Sequence, residues 1–324
     1  MLNNFAYLKA GSLAEAVKAL SAEGTVLHAG GTDLMGCLRE EIIRPEKVIS
    51  ISGISELKGI SAGNGGSLKI GALTTLAAIA SDKTVLETYS VLAQAAASAA
   101  SPQLRNQGTV GGNLCQRPRC WYFRSDLQCR KKGGGTCYAM GGENQYHAIF
   151  GGGPCFFVHP SDTAVALAAL DAGIKISGPG GNKTIKTADF FISPRQMVTK
   201  ENILLSNEVI TEIILPPMGE NTRSAYRKIR ARAAWDFALT SVAAVIQLNG
   251  STVQNARIVL GGVAPYPWRV SKAEEMIAGK TLNAAGAAAA AEAALDGASP
   301  LRDNRFKLEI VKGAVEETLL ELAG

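Results

Sequence analysis

Thr25-Val26-Leu27-His28-Ala29-Gly30-Gly31-Thr32-Asp33-Leu34 is a short buried strand that breaks at a Gly-Gly pair. Two adjacent glycines let the backbone take positive φ and approach a ligand closely. Free N–H groups in such a turn, and at the start of a following helix, suit a pyrophosphate. A second stretch, Gly108-Thr109-Val110-Gly111-Gly112-Asn113, has the same Gly-Gly core, flanked by hydroxyl and amide side chains. About 80 residues separate the two, and together they could close on one dinucleotide. Taken singly, each is equally a plain tight turn. Neither is G-x-G-x-x-G, and Asp33 follows its glycines too closely to be the ribose-binding acid of that fingerprint. There is no G-x-x-x-x-G-K-[ST], so nucleoside triphosphate hydrolysis has no support.

Outward from these loops, strands and helices are mixed. Ser12 with Glu15, ahead of Ala16, Val17, Ala19 and Leu20, predicts a capping box that opens a helix. Strands are expected at 47–51, 67–71, 173–177, 203–205 and 252–260, and helices at 77–79, 91–100, 162–170, 284–295 and 306–322. Segments 224–230 and 239–248 read as strand or helix pieces. Pro216-Pro217 can continue neither a helix nor a central strand and marks a linker. No internal repeat and no regular βαβ alternation is visible. The reading is α+β in two domains, 1–219 and 220–324.

The 324 residues suffice for two domains that each bury a core. A net charge of +5 is too small for a nucleic-acid footprint. No run approaches the ~20 apolar residues of a membrane helix. The start, Met-Leu-Asn-Asn-Phe-Ala-Tyr-Leu-Lys, has neither a basic start nor an apolar run, so no signal peptide is visible. A cytoplasmic setting is expected, where cysteines stay thiols or cofactor ligands. Export alongside a signal-bearing partner would place the chain in the periplasm instead.

Of six cysteines, Cys115, Cys120, Cys129, Cys137 and Cys155 crowd into one glycine-rich stretch without apolar periodicity. Such a long loop is usually functional or disordered. No pair has the C-x2-C knuckle of structural zinc sites, and His147 is the one imidazole within it. Cys115-x4-Cys120 begins like a plant-type [2Fe–2S] run, but Tyr122 and Phe123 stand where the next ligand is needed. Four loop thiolates can hold a [4Fe–4S] cube, one per iron. On spacing alone an iron–sulfur cluster, zinc, and uninvolved or disulfide-bonded cysteines all stay open. Cys37 reads as a small buried hydrophobe. Arg117, Arg119, Arg124, Arg130, Lys131 and Lys132 make the loop basic, either as a solvated surface or as compensation for clustered thiolates.

The combination Ala29 to Leu34, Gln103 to Leu114 and His159-Pro160-Ser161-Asp162 resembles the FAD-binding subunit of the molybdenum hydroxylases. That family includes xanthine dehydrogenase, aldehyde oxidoreductase and CO dehydrogenase. Tyr226-Arg227-Lys228-Ile229-Arg230 with Phe237-Ala238 resembles the start of its C-terminal flavoprotein domain. About 45 residues separate Asn113 from Ser161, where most members pass directly between the two. This insertion is similar to the [4Fe–4S] loop of 4-hydroxybenzoyl-CoA reductase and of bacterial aldehyde oxidoreductases. Gln116-Arg117-Pro118-Arg119-Cys120 with Gln145-Tyr146-His147-Ala148 looks closer to the second.

The resemblance implies a vanillyl-alcohol-oxidase-type FAD-binding domain of two α/β subdomains, then a smaller α+β domain. It implies FAD bound by Val26, Leu27, His28, Ala29, Gly30, Gly31, Thr32, Asp33 and Leu34, with Gly108, Thr109, Gly112 and Asn113 completing the second loop. Ser161 and Asp162 face the ribose or ring end, Ile210 the isoalloxazine, and Lys228 its electron-rich edge. Cys120, Cys129, Cys137 and Cys155 are the implied cluster ligands, with Cys115 a bystander. By the same resemblance the partners are a molybdopterin-binding large subunit and a [2Fe–2S] small subunit. Electrons from aldehyde or heterocycle oxidation then pass through [2Fe–2S] centres and FAD to an external acceptor. A 4-hydroxybenzoyl-CoA reductase-type or xanthine dehydrogenase subunit is the neighbouring expectation, and a zinc-stapled interaction protein the remote one.

Overall fold

Ser12 opens the first helix as its sequence predicts. Its hydroxyl accepts the N–H of Glu15, while the Glu15 carboxylate reaches back to the N–H of Gly11 rather than to Ser12 itself. The computed structural model describes residues 2–324. Strands β1 (Ala6–Lys9), β2 (Thr25–His28) and β3 (Lys47–Ser50) form a parallel sheet in the order β1-β3-β2. Helices α1 (Leu13–Leu20) and α2 (Leu34–Arg39) make the crossovers. These first fifty residues therefore do alternate β and α. The pattern escapes a periodicity reading because β1 is exposed at Ala6, Tyr7 and Lys9 and α2 spans six residues, under two turns.

A second, antiparallel sheet runs β4-β5-β8-β6-β7, from β4 (Ile60–Ala62), β5 (Leu68–Gly71), β6 (Gly173–Gly178), β7 (Gly181–Lys186) and β8 (Val209–Leu215). Sharing a core with it are α3 (Leu76–Ser81), α4 (Lys83–Thr88), α5 (Ser90–Ser98), α7 (Val110–Leu114), α8 (Asp162–Ala169) and α9 (Thr187–Phe190), while α6 (Pro102–Gln107) buries no side chain and lies on α3. Ile70, Ile79, Leu92, Val110, Leu167, Ile174 and Ile213 are buried in their shared core. The strand expected at 203–205 is a loop. Asn202 and Glu208 side chains take the N–H groups of Leu204 and Leu205 that a ladder would need, and the strand forms at β8 instead.

Beyond Pro216-Pro217, β9 (Thr222–Ile229), β10 (Thr240–Asn249), β11 (Thr252–Gly261) and β12 (Trp268–Arg269) form an antiparallel sheet in the order β12-β11-β10-β9. Helices α10 (Ser271–Ile277), α11 (Ala284–Ala293) and α12 (Phe306–Ala323) cover one face. Val242, Ala244 and Ile246 of β10 join that helical core, while Ala243 and Val245 join the core around α5 and α8. Burial on both faces erases the polar alternation of an ordinary antiparallel strand, which is why 239–248 is ambiguous as sequence. No helix among the described residues is long and apolar enough to cross a membrane.

Candidate functional site

The two glycine loops lie against each other. β2 is an edge strand, so Val26, Leu27 and His28 pair with β3 on one side only. Ala29 to Asp33 then turn the chain into α2. A Cβ on Gly30 would sit 2.0 Å from the carbonyl oxygen of Gln107, so only glycine lets the loops meet. Gly31 has φ +73°, in the left-handed region. On the other side Gly108 ends α6, and Thr109 caps α7 by accepting the N–H of Gly112. A Cβ on Gly111 would come within 3.0 Å of the Ala72 Cβ, packing α7 onto the segment after β5.

The Ser161–Asp162 segment closes on the second loop. Asn113 Oδ1 accepts from Ser161 Oγ at 2.5 Å and Thr163 Oγ1 at 2.7 Å, and Ser161 caps α8 through the N–H of Ala164. Asp162 looks the other way. Its Oδ1 accepts from the Tyr226 hydroxyl at 2.6 Å and its Oδ2 pairs with Lys228 Nζ at 2.7 Å. All three are nearly buried, and burial followed by the Asp162 charge pushes the Tyr226 phenol well above its usual range. Asp162 and Lys228, remote in sequence, thus form one ion pair between α8 and β9. Tyr226 opens the segment that resembles the C-terminal flavoprotein domain, but nothing local marks its hydroxyl as a partner of Asp162. Ile210 is buried in β8 within the main core. His159 donates its backbone N–H to Ala264, accepts the N–H of Ser161 on Nδ1, and leaves Nε2 buried with no partner.

The cysteine stretch is an ordered loop with 3₁₀ turns at Arg130–Lys132 and Tyr138–Met140. Cys120, Cys129, Cys137 and Cys155 line one enclosed cavity with Tyr122, Phe123, Arg130, Lys131, Tyr138 and Phe157. Cys115 ends α7 and packs toward the core, where burial pushes its thiol up to about 12. Backbone N–H groups converge on the cavity sulfurs: those of Phe123 and Tyr122 on Cys120, those of Phe156 and Ala139 on Cys137, and that of Phe157 on Cys155. The Cys137 thiol, hydrogen-bonded to Cys155, is drawn down to about 6 while its neighbour is driven up. Among the described residues no three His, Cys, Asp or Glu side chains converge on one point as a single metal ion would need.

The loop's basic residues are mostly neither solvated nor spare. Arg119 and Arg124 both pair with Asp33 at 2.9 Å, and Arg124 also with Glu40. Arg117 and Lys131 share Glu201 at 3.0 and 2.8 Å. The Arg117 N–H adds a third contact to Asp33, which anchors the inserted loop to the first glycine loop. Nothing in the sequence marks Glu40 and Glu201, whose arginine partners lie 84 residues away. Lys131 alone also stands over the Phe157 ring, beside the cavity.

The later half of the loop docks on the C-terminal sheet and helices. Ile149 and Phe150 donate to Val263 O, and Asn304 and Lys307 donate to the carbonyl of His147. Lys307 is fully buried with two carbonyl acceptors, His147 and Gly262, and burial lowers its ammonium to about 7 from 10.5. Between about 7 and 10.5 the unfolded chain therefore holds a proton that the folded chain has released. Stability from this group rises with pH across that window, and its full penalty applies below it. Lys307→Met is expected to flatten this rise in urea-unfolding midpoints. An unchanged slope would mean that Lys307 titrates as an ordinary lysine.

Residues 3–218 match the family model of the FAD-binding domain in molybdopterin dehydrogenase, and residues 224–322 that of the CO dehydrogenase flavoprotein C-terminal domain. The chain is 39% identical to the aldehyde oxidoreductase FAD-binding subunit PaoB of Escherichia coli K12, covering 98% of each. It is 30% identical to the carbon monoxide dehydrogenase medium chain of Hydrogenophaga pseudoflava, over 93% of this chain and 89% of that one. A solved structure of the Hydrogenophaga enzyme superposes with a TM-score of 0.79 at 28% identity, covering 99% of this chain and 97% of that one. A sheet-and-helix chain with paired glycine loops, matched end to end by two flavoprotein models, belongs to the FAD-binding subunits of the molybdenum hydroxylases.

Proposed function

We propose that the chain is the FAD- and [4Fe–4S]-carrying electron-transfer subunit of a three-subunit molybdenum hydroxylase that oxidises aldehydes or aromatic heterocycles. In this reading a molybdopterin-binding large subunit and a [2Fe–2S] small subunit are its partners. Electrons arrive from the [2Fe–2S] centres and leave through FAD for an external acceptor. One observation carries the cluster: four cysteine thiols from one inserted loop line a single cavity, with backbone N–H donors aimed at three of them. A mononuclear zinc would need its sulfurs all ~2.3 Å from one point. A cube takes one sulfur per iron, so its ligands surround a space. Lys131 and Arg130 on the cavity wall favour the net negative charge of ligated thiolates.

The flavin would lie where the glycine loops meet, with backbone N–H groups of 29–34 and 108–113 toward its pyrophosphate. Bound FAD supplies two-electron acceptance and release, and this chain's part is to orient it and exclude water. Asp162 holds the Lys228 ammonium in place, and a cation fixed there would stabilise the reduced form of a bound flavin. In this reading residues 1–219 are the FAD-binding domain and 220–324 the C-terminal flavoprotein domain.

Cys129→Ser tests the assignment. Iron should fall to background per chain while flavin absorbance persists. Full retention of both would show that the ligand set is wrong, and zinc without iron or flavin in the unaltered protein would sink the whole reading.

A further inference from the structure

His147 is 2% exposed and contacts Cys120, one of the four cavity cysteines. Its Nε2 is 3.2 Å from Cys120 Sγ, and its Nδ1 is buried with no partner. A neutral ring carries one hydrogen. A Cys120 that ligates a cluster is a thiolate and can only accept, so the 3.2 Å contact is a hydrogen bond with the hydrogen on Nε2, directed at the sulfur. The ring has little freedom to leave. Trp121 meets it edge-on at 5.3 Å and Tyr122 lies at 5.9 Å. The backbone carbonyl of the same residue accepts from Asn304 Nδ2 and Lys307 Nζ, both at 3.1 Å and both from wholly buried residues. The C-terminal domain thus fixes the residue that touches Cys120.

We propose that His147 is a positioning residue that donates a hydrogen bond from Nε2 to the Cys120 thiolate and raises the reduction potential of the cluster. This rests on the reading that the four cavity cysteines hold a [4Fe–4S] centre. Hydrogen bonds to ligand sulfur are among the levers that set such potentials, because they draw charge from the sulfur and favour the reduced state. The Tyr122 and Phe123 N–H groups also face Cys120, but the imidazole is the donor that a side-chain substitution can remove.

The experiment is a redox titration of the purified complex, following the cube by electron paramagnetic resonance, with iron and FAD counted per chain. His147→Leu should retain iron and flavin and lower the midpoint. A tenfold change in the reduced-to-oxidised ratio at fixed potential is the size expected, about 59 mV for one electron. His147→Gln, which keeps an N–H donor, should return most of the shift. An unchanged midpoint in His147→Leu with iron retained overturns the proposal and leaves the cluster reading intact. Should His147→Leu fail to load iron, His147→Gln decides: iron at the wild-type midpoint supports the donor, and loss of iron there too makes His147 a packing residue. Absence of iron from the unaltered complex would instead remove the reading on which the proposal stands.

Discussion

Lys228→Met lowers the stability of the chain by about 3–5 kcal/mol in urea unfolding, the range for breaking a buried ion pair from one side. The Lys228 side chain is 3% exposed and that of Asp162 7%, at 2.7 Å. Without the ammonium, Asp162 keeps only the Tyr226 hydroxyl, and a carboxylate stays buried between α8 and β9 without a counter-charge. The carbonyl of Ser98 is left with Arg230 Nη1 alone, at 3.5 Å. Removing both charges, as in Asp162→Asn with Lys228→Met, should recover much of the loss, because the penalty comes from the unpaired group rather than from the missing contact. A loss below about 1 kcal/mol would put the pair in the range of solvated surface pairs and sink the argument. On the proposed function, flavin content falls in the single variant too, since the lost cation is the one placed beside the ring.

Gly30→Ala pushes the two glycine loops apart, at a cost toward or beyond the upper end of the ~1–3 kcal/mol of overpacking. The obstacle is the backbone carbonyl of Gln107, 2.0 Å from the new Cβ, with the Gly108 Cα at 3.3 Å. Neither can rotate aside. Gly31→Ala provides the contrast. There the strain is the left-handed φ of +73°, roughly 1–2 kcal/mol, and the nearest obstacle is the His28 imidazole tip, a side chain able to turn. Thermal melts with FAD counts per chain should rank Gly30→Ala well below Gly31→Ala in both. Equal effects would mean that conformational freedom, not loop contact, is what Gly30 supplies.

Much of this architecture is legible along the chain because its signals are local. A hydroxyl three residues before a glutamate marks α1. Paired glycines mark the two loops that meet at Gly30, and cysteine density marks the insertion. The long helices α11 and α12 follow from runs of alanine and from apolar spacing. What misleads is local too. Ile203, Leu204 and Leu205 look like a strand until Asn202 and Glu208 are seen to take the N–H groups of two of them.

The mixed fold, the two glycine loops, the cysteine insertion and the family are written along the linear chain, since each is a dense pattern within a few tens of residues. How these parts meet is set by packing alone. It joined Asp162 to Tyr226 and Lys228, latched the insertion to Asp33, Glu40 and Glu201, and set Asn304 and Lys307 on the carbonyl of His147. Those pairings span 64 to 160 residues, and no local pattern marks them. An isolated acid or lysine is indistinguishable in sequence from a solvated one, and burial beside its counterpart is what gives it a role.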